Sequence, residues 1–140
     1  MKTYNVQILV ILLLAGILNS AESFAQKEAK ISSGIEWTET TRDFGKIPQG
    51  KAVIAEFQFK NPSMVPLIIY AVKPSCGCTV ADYPKEPVQP QKTGIIKVTF
   101  DAQNTGYFQK SVIIESNAGE GSETLVIKGE VVKGTVNNEQ

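Results

Sequence analysis

Two cysteines stand one residue apart in Ser75-Cys76-Gly77-Cys78-Thr79, and they are the only two in the chain. In an extended strand, residues i and i+2 point the same way, about 6.6 Å apart. A disulfide needs Cα atoms within roughly 4.4–6.8 Å, so a Cys76–Cys78 bridge lies at the edge of what a strand allows. Gly77, free to take a positive φ, is the residue best placed to buckle the chain and close it. Such a bridge is a poor staple, because chain-entropy stabilisation grows with the loop closed and here one residue is enclosed. Strain in so small a ring would make it labile, which suits exchange chemistry better than holding a fold together. Against this, Cys-x-Cys lacks the helix N-terminus that lowers a thiol pKa in Cys-x-x-Cys motifs. Lys73 is the nearby cation in sequence.

Two other readings of the pair stay open. Two thiolates on one face could hold Cu(I), with Met64 as the other soft ligand beyond the first residue. Alternatively, both are small apolar side chains at a strand end, as free cysteines often are.

The rest of the composition excludes more than it suggests. The chain has no histidine, which removes Ser-His-Asp and Cys-His machinery and His-ligated zinc. Two cysteines alone cannot complete a four-ligand structural zinc site. The expectation is a protein that is not an enzyme and needs no cofactor. Lys plus Arg equals Asp plus Glu at 14 each, so the formal net charge is zero. A neutral chain without a basic run lacks the footprint of nucleic-acid binding and has no special attraction to anionic membranes.

Other clusters are weaker. Glu36, Glu39 and Asp43 form an acidic group that reads as solvated surface rather than an acid/base pair. Trp37, Tyr70, Tyr83 and Tyr107 could line a binding face, although core or rim packing is expected of each. Gly119-Glu120-Gly121 is a turn, too short for a phosphate loop, and Asn61-Pro62-Ser63 has proline where glycosylation forbids it.

Several elements must position the cysteines. With 140 residues, 42% hydrophobic and 20% charged, the chain has the size and balance of one globular domain. Residues 1–25 read as a secretory signal peptide: Lys2, an apolar block from Ile8 to Leu18 too short to span a bilayer, and small residues Ser23 and Ala25 before Gln26. That predicts export to a periplasmic or extracellular location, with no stable membrane anchor after cleavage; an uncleaved N-terminal anchor is the alternative. Residues 26–34 read as a flexible leader and 133–140 as a polar tail.

Between them, residues 35–132 alternate strand-like runs with turns. Residues 35–38 form a short strand, and 43–50 read as a turn-rich link with Phe44 and Ile47 anchored inward. Residues 51–60 have a clear period of two, with Val53, Ala55, Phe57 and Phe59 on one side. Residues 66–73 are apolar on both faces, which predicts a central strand. Prolines 84, 87 and 90 with Gly94 make residues 82–94 a stiff connection. Ile96, Val98 and Phe100 share the face of one further strand; Phe108, Lys110, Val112 and Ile114 share that of the next, and residues 123–132 form the last. About seven short strands with no helical stripe predict an all-β, immunoglobulin-like sandwich, with a small barrel as the alternative.

The chain resembles the DUF1573 family over Phe44 to about Val131. The residues that carry the resemblance are Asp43-Phe44-Gly45-Lys46-Ile47-Pro48-Gln49-Gly50, Phe57-Gln58-Phe59-Lys60-Asn61 and Ser75-Cys76-Gly77-Cys78-Thr79. Pro90 with Gly94, the Ile96-Lys97-Val98-Thr99-Phe100-Asp101 strand and Gly106 before Phe108-Gln109-Lys110 add to it. The resemblance implies an exported Ig-like domain of unassigned activity, related to the major sperm protein and ASPM/SPD-2/Hydin sandwiches. Many of those relatives bind or assemble proteins, so the implied partner is another protein, by analogy of fold.

Overall fold

A computed structural model describes residues 34–134. The proposed signal peptide, nearly all of the leader and residues 135–140 of the tail lie outside the described residues. Eight strands follow one another: β1 (Glu36–Trp37), β2 (Thr41–Pro48), β3 (Val53–Lys60), β4 (Ile69–Pro74), β5 (Thr79–Asp82), β6 (Thr93–Phe100), β7 (Gly106–Ser116) and β8 (Ser122–Val132). They form two four-stranded sheets in the orders β1-β3-β6-β5 and β2-β8-β7-β4. Every pairing is antiparallel except β2 with β8. The two separate sheets make this the expected all-β sandwich rather than a barrel.

The strand periodicity explains the core. Ala55, Phe57 and Phe59 of β3 and Ile96, Val98 and Phe100 of β6 turn inward from one sheet. Val112 and Ile114 of β7 and Leu125 and Ile127 of β8 answer from the other, all buried. Side chains at alternate positions leave water together, each of the larger ones contributing roughly 1.5–3 kcal/mol of transfer free energy. Phe100 and Phe108 stack between the sheets with ring centroids 4.2 Å apart. Gly94 lies across from Phe59, and a side chain there would overlap that ring.

Three expectations need correction. Residues 43–50 are not a link: most of them belong to β2, whose register breaks between Asp43 and Lys46. Gly45, at φ 61°, forms the bulge there, which accounts for the turn-like composition. Phe44 and Ile47 do face the core, the first half-buried and the second buried. The run predicted as a central strand is instead β4, at the edge of its sheet. Ile68 and Tyr70 are exposed at 40% and 49%, so these two side chains meet solvent rather than another layer, while Val72, past the register shift, packs on the core. The third correction is β5, a short strand after the cysteines that no alternation marks.

Polar side chains, one buried and one half-buried, fasten the irregular parts. Asn61, 1% exposed, closes the end of β3. Its Nδ2 donates to Val65 O at 2.8 Å and Val88 O at 2.9 Å, and its Oδ1 accepts from Ser63 N and Ser63 Oγ. Together with a mutual pair of backbone bonds between Leu67 and Val88, it pins the proline-rich connection against the chain entering β4. Glu123 of β8 does the same for the N-terminal end. Its carboxylate accepts from Ile35 N at 3.0 Å and from the Trp37 indole, tying β1 across to the other sheet.

Candidate functional site around Cys76 and Cys78

The path from β4 to β5 carries the chain from the edge of one sheet to the edge of the other, and the cysteines occupy that crossing. Residues 75–78 form a turn, not the continuation of a strand. Cys76 and Cys78 are joined in a disulfide with their Cα atoms 5.4 Å apart. The turn therefore supplies the shortening that an extended chain lacks, and the separation falls within the common range for disulfides. Strain from an extended spacing is thus no part of the site. Gly77 does not take the positive φ expected of it. A Cβ built there meets nothing within 4 Å, so the tip of the turn stands in open space.

The backbone holds this turn without help from sulfur. Thr79 N donates to Cys76 O at 3.3 Å, closing the turn itself. On the β7 side, Ser75 N donates to Ser111 O at 2.9 Å, and Ser111 N donates to Ser75 Oγ at 3.1 Å. On the β6 side, Asp101 N donates to Cys78 O at 3.2 Å. β7 and the residue after β6 thus grip the crossing through main-chain groups and the Ser75 hydroxyl.

The two sulfurs differ in their surroundings. Both cysteines are half-buried, but Cys78 packs against the hydrophobic core. Thr79, 4% exposed, sits beneath them with Oγ1 3.5 Å from Cys76 Sγ and 3.9 Å from Cys78 Sγ. Bonded sulfurs carry no hydrogen, so the hydroxyl is the donor in these contacts. Thr79 stood in the sequence motif from the start, yet only its inward turn at the head of β5 reveals this role.

The remaining sequence candidates are scattered. The Lys73 ammonium pairs with Glu115 Oε1 at 2.5 Å. Met64 is 84% exposed in the turn before β4, and no group of three His, Cys, Asp or Glu side chains gathers as a metal site among the described residues. Glu39 is taken by Arg42, whose guanidinium is pushed above its ordinary pKa by that hydrogen bond and charge. Asp43 accepts from Gly45 N and pairs with Lys128 at 3.6 Å. These carboxylates belong to surface ion pairs, as expected of a solvated group. Trp37 and Tyr83 pack on the core as expected. Tyr70 and Tyr107 do not: both are exposed, Tyr107 at 87%, because each points out of its sheet at the alternate position to a core residue. Lys85 Nζ lies 3.2 Å from the Tyr83 ring centroid, a cation–π contact over the stiff connection.

An Ig-like sandwich with one disulfide at its inter-sheet crossing is the class of protein defined by these features. The family "Protein of unknown function (DUF1573)" matches residues 35–131, and the chain belongs to that family. No curated protein matches it. Among solved structures, it is similar to a protein of unknown function from Porphyromonas gingivalis W83, with a TM-score of 0.64 and 17% identity. The likeness covers 78% of this chain and 51% of that one, so the chain spans about half the length of that protein. It is also similar to PapD-like domain 7 of human CEP192, with a TM-score of 0.59 and 10% identity over 74% of this chain and 89% of that one. A third likeness, at TM-score 0.58 and 11% identity, is to the secreted serine protease VesC of Vibrio cholerae, over 74% of this chain and 24% of that one. At these identities the likenesses establish the fold.

Proposed function

We infer that the protein is an exported, non-enzymatic Ig-like module that binds another protein by accepting an extended segment at an open sheet edge. The observation that carries this reading is the edge of β3. The two-residue β1 pairs with β3 only at Phe59 and Lys60, and Thr38 N adds one bond to Gln58 O. Among the described residues, no strand pairs with Val53 to Phe57 on that side. Backbone donors and acceptors along such an edge bind an extended peptide with main-chain hydrogen bonds, while neighbouring side chains select its sequence. The lack of histidine supports a non-catalytic role, and the signal-like residues 1–25 support export.

In-cell photo-crosslinking tests this. A crosslinking residue at Ile54, 57% exposed on β3, is expected to capture one protein partner from the exported fraction, on chains beginning at Gln26. The same residue at Tyr107, on β7, is expected to capture none. Capture only from Tyr107, no capture across several growth conditions, or a chain retained in the cytoplasm would contradict the reading.

A further inference from the structure

We propose that the Cys76–Cys78 disulfide is a thiol-exchange site that accepts electrons from a dithiol, with Cys76 attacked, Cys78 leaving and Thr79 donating a hydrogen bond to the freed sulfur. Four observations lead there. The backbone closes and anchors the turn independently of the S–S bond, so opening it leaves the crossing in place. The tip at Gly77 is open space, so a reagent can reach the turn. A thiolate attacks a disulfide in line with the bond, from the side opposite the leaving sulfur. Cys78 packs against the core, which obstructs approach behind it and leaves Cys76 as the sulfur to be attacked. Finally, the buried Thr79 hydroxyl lies 3.5 Å from Cys76 Sγ and 3.9 Å from Cys78 Sγ, so once Cys76 is held in a neutral mixed disulfide the hydroxyl turns to the stronger acceptor, the thiolate left on Cys78.

The steps balance. A thiolate of the donor forms a bond to Cys76 Sγ; the Cys76–Cys78 bond breaks and its electron pair stays on Cys78 Sγ. The donor's second thiolate then attacks the donor sulfur of this mixed disulfide, forming the donor's own disulfide and releasing Cys76 as a thiolate. The donor loses two electrons and the cysteine pair gains them. The two protons of the donor thiols pass through water to Cys76 and Cys78. Any dithiol, small or protein-borne, satisfies this chemistry.

Thr79 acts here as a positioning residue, and its test must separate that role from simple packing. The folded full-length protein is treated with excess dithiothreitol under native conditions, quenched by alkylation and weighed intact. The disulfide is expected to open while circular dichroism stays native. Thr79→Val should open about tenfold more slowly, and Thr79→Ser, which keeps the hydroxyl, at close to the wild-type rate. With an aromatic disulfide reagent, the thiol left in Cys78→Ser should react at least about tenfold faster than the one left in Cys76→Ser. A disulfide that opens only in denaturant would overturn the proposal, whatever the variants do. Equal rates for Thr79→Val and wild type would overturn the role of the hydroxyl. A faster thiol in Cys76→Ser would overturn the order of attack.

Discussion

Asn61 and the Cys76–Cys78 turn each follow the end of a strand and redirect the chain, yet they are built on opposite principles. Asn61 is buried, and its side chain makes four hydrogen bonds to two loops, added to the main-chain bonds that cross there. Remove it and the carbonyls of Val65 and Val88 lose that donor in the interior. The cysteine turn is half-exposed and held by main-chain bonds to β7 and to the residue after β6, with the disulfide laid over a crossing already fixed. A side chain that carries its loop cannot be chemically altered without unfolding that loop. A bond that merely overlies a fixed turn can be made and broken. The difference locates structural necessity at Asn61 and freedom for chemistry at the cysteines.

The contrast can be broken at either end. Asn61→Ala is expected to have the largest effect, a loss of about 2–3 kcal/mol, because a buried amide's four hydrogen bonds go at once, although Val88 O keeps Leu67 N and Val65 O keeps the Ser63 hydroxyl. Urea unfolding monitored by circular dichroism measures it; a loss under about 1 kcal/mol would show that water or neighbouring groups replace the amide. At the other end, Gly77→Ala should change stability by less than about 0.5 kcal/mol, since its backbone is not left-handed and its Cβ meets nothing. The disulfide should still form in this variant. A large loss there would mean that the turn depends on glycine, as its spacing in the sequence first suggests.

Much of this frame was legible in the residues before any coordinates. The faces of β3, β6 and β7 follow from a period of two, because one side of each strand is buried and a slip of one residue would expose it. The misread elements share a physical cause. The composition of β4, apolar on both faces, describes burial only if a layer covers each face, and a sandwich of two sheets covers one face of each. In β2, Gly45 and Pro48 signal turns, but an edge strand tolerates both a bulge and a terminal proline. The cysteines were legible by type and spacing. Their turn was not, because its bonds run to Ser111 and Asp101, more than 20 residues away in the chain. The bearing of Thr79 on both sulfurs depends on that turn and was hidden with it.

The central claim, that the disulfide overlies the fold rather than holding it, is open to one direct measurement. Chain entropy assigns about 1.6 kcal/mol to a ring of three residues, against about 3 kcal/mol for a loop of 15. The unfolding free energy of the full chain should therefore fall by no more than about 2 kcal/mol when Cys76 and Cys78 are reduced and blocked, with native circular dichroism retained. A fall of about 4 kcal/mol or more, or loss of the folded spectrum, would contradict it and make the bridge a true staple of the sandwich.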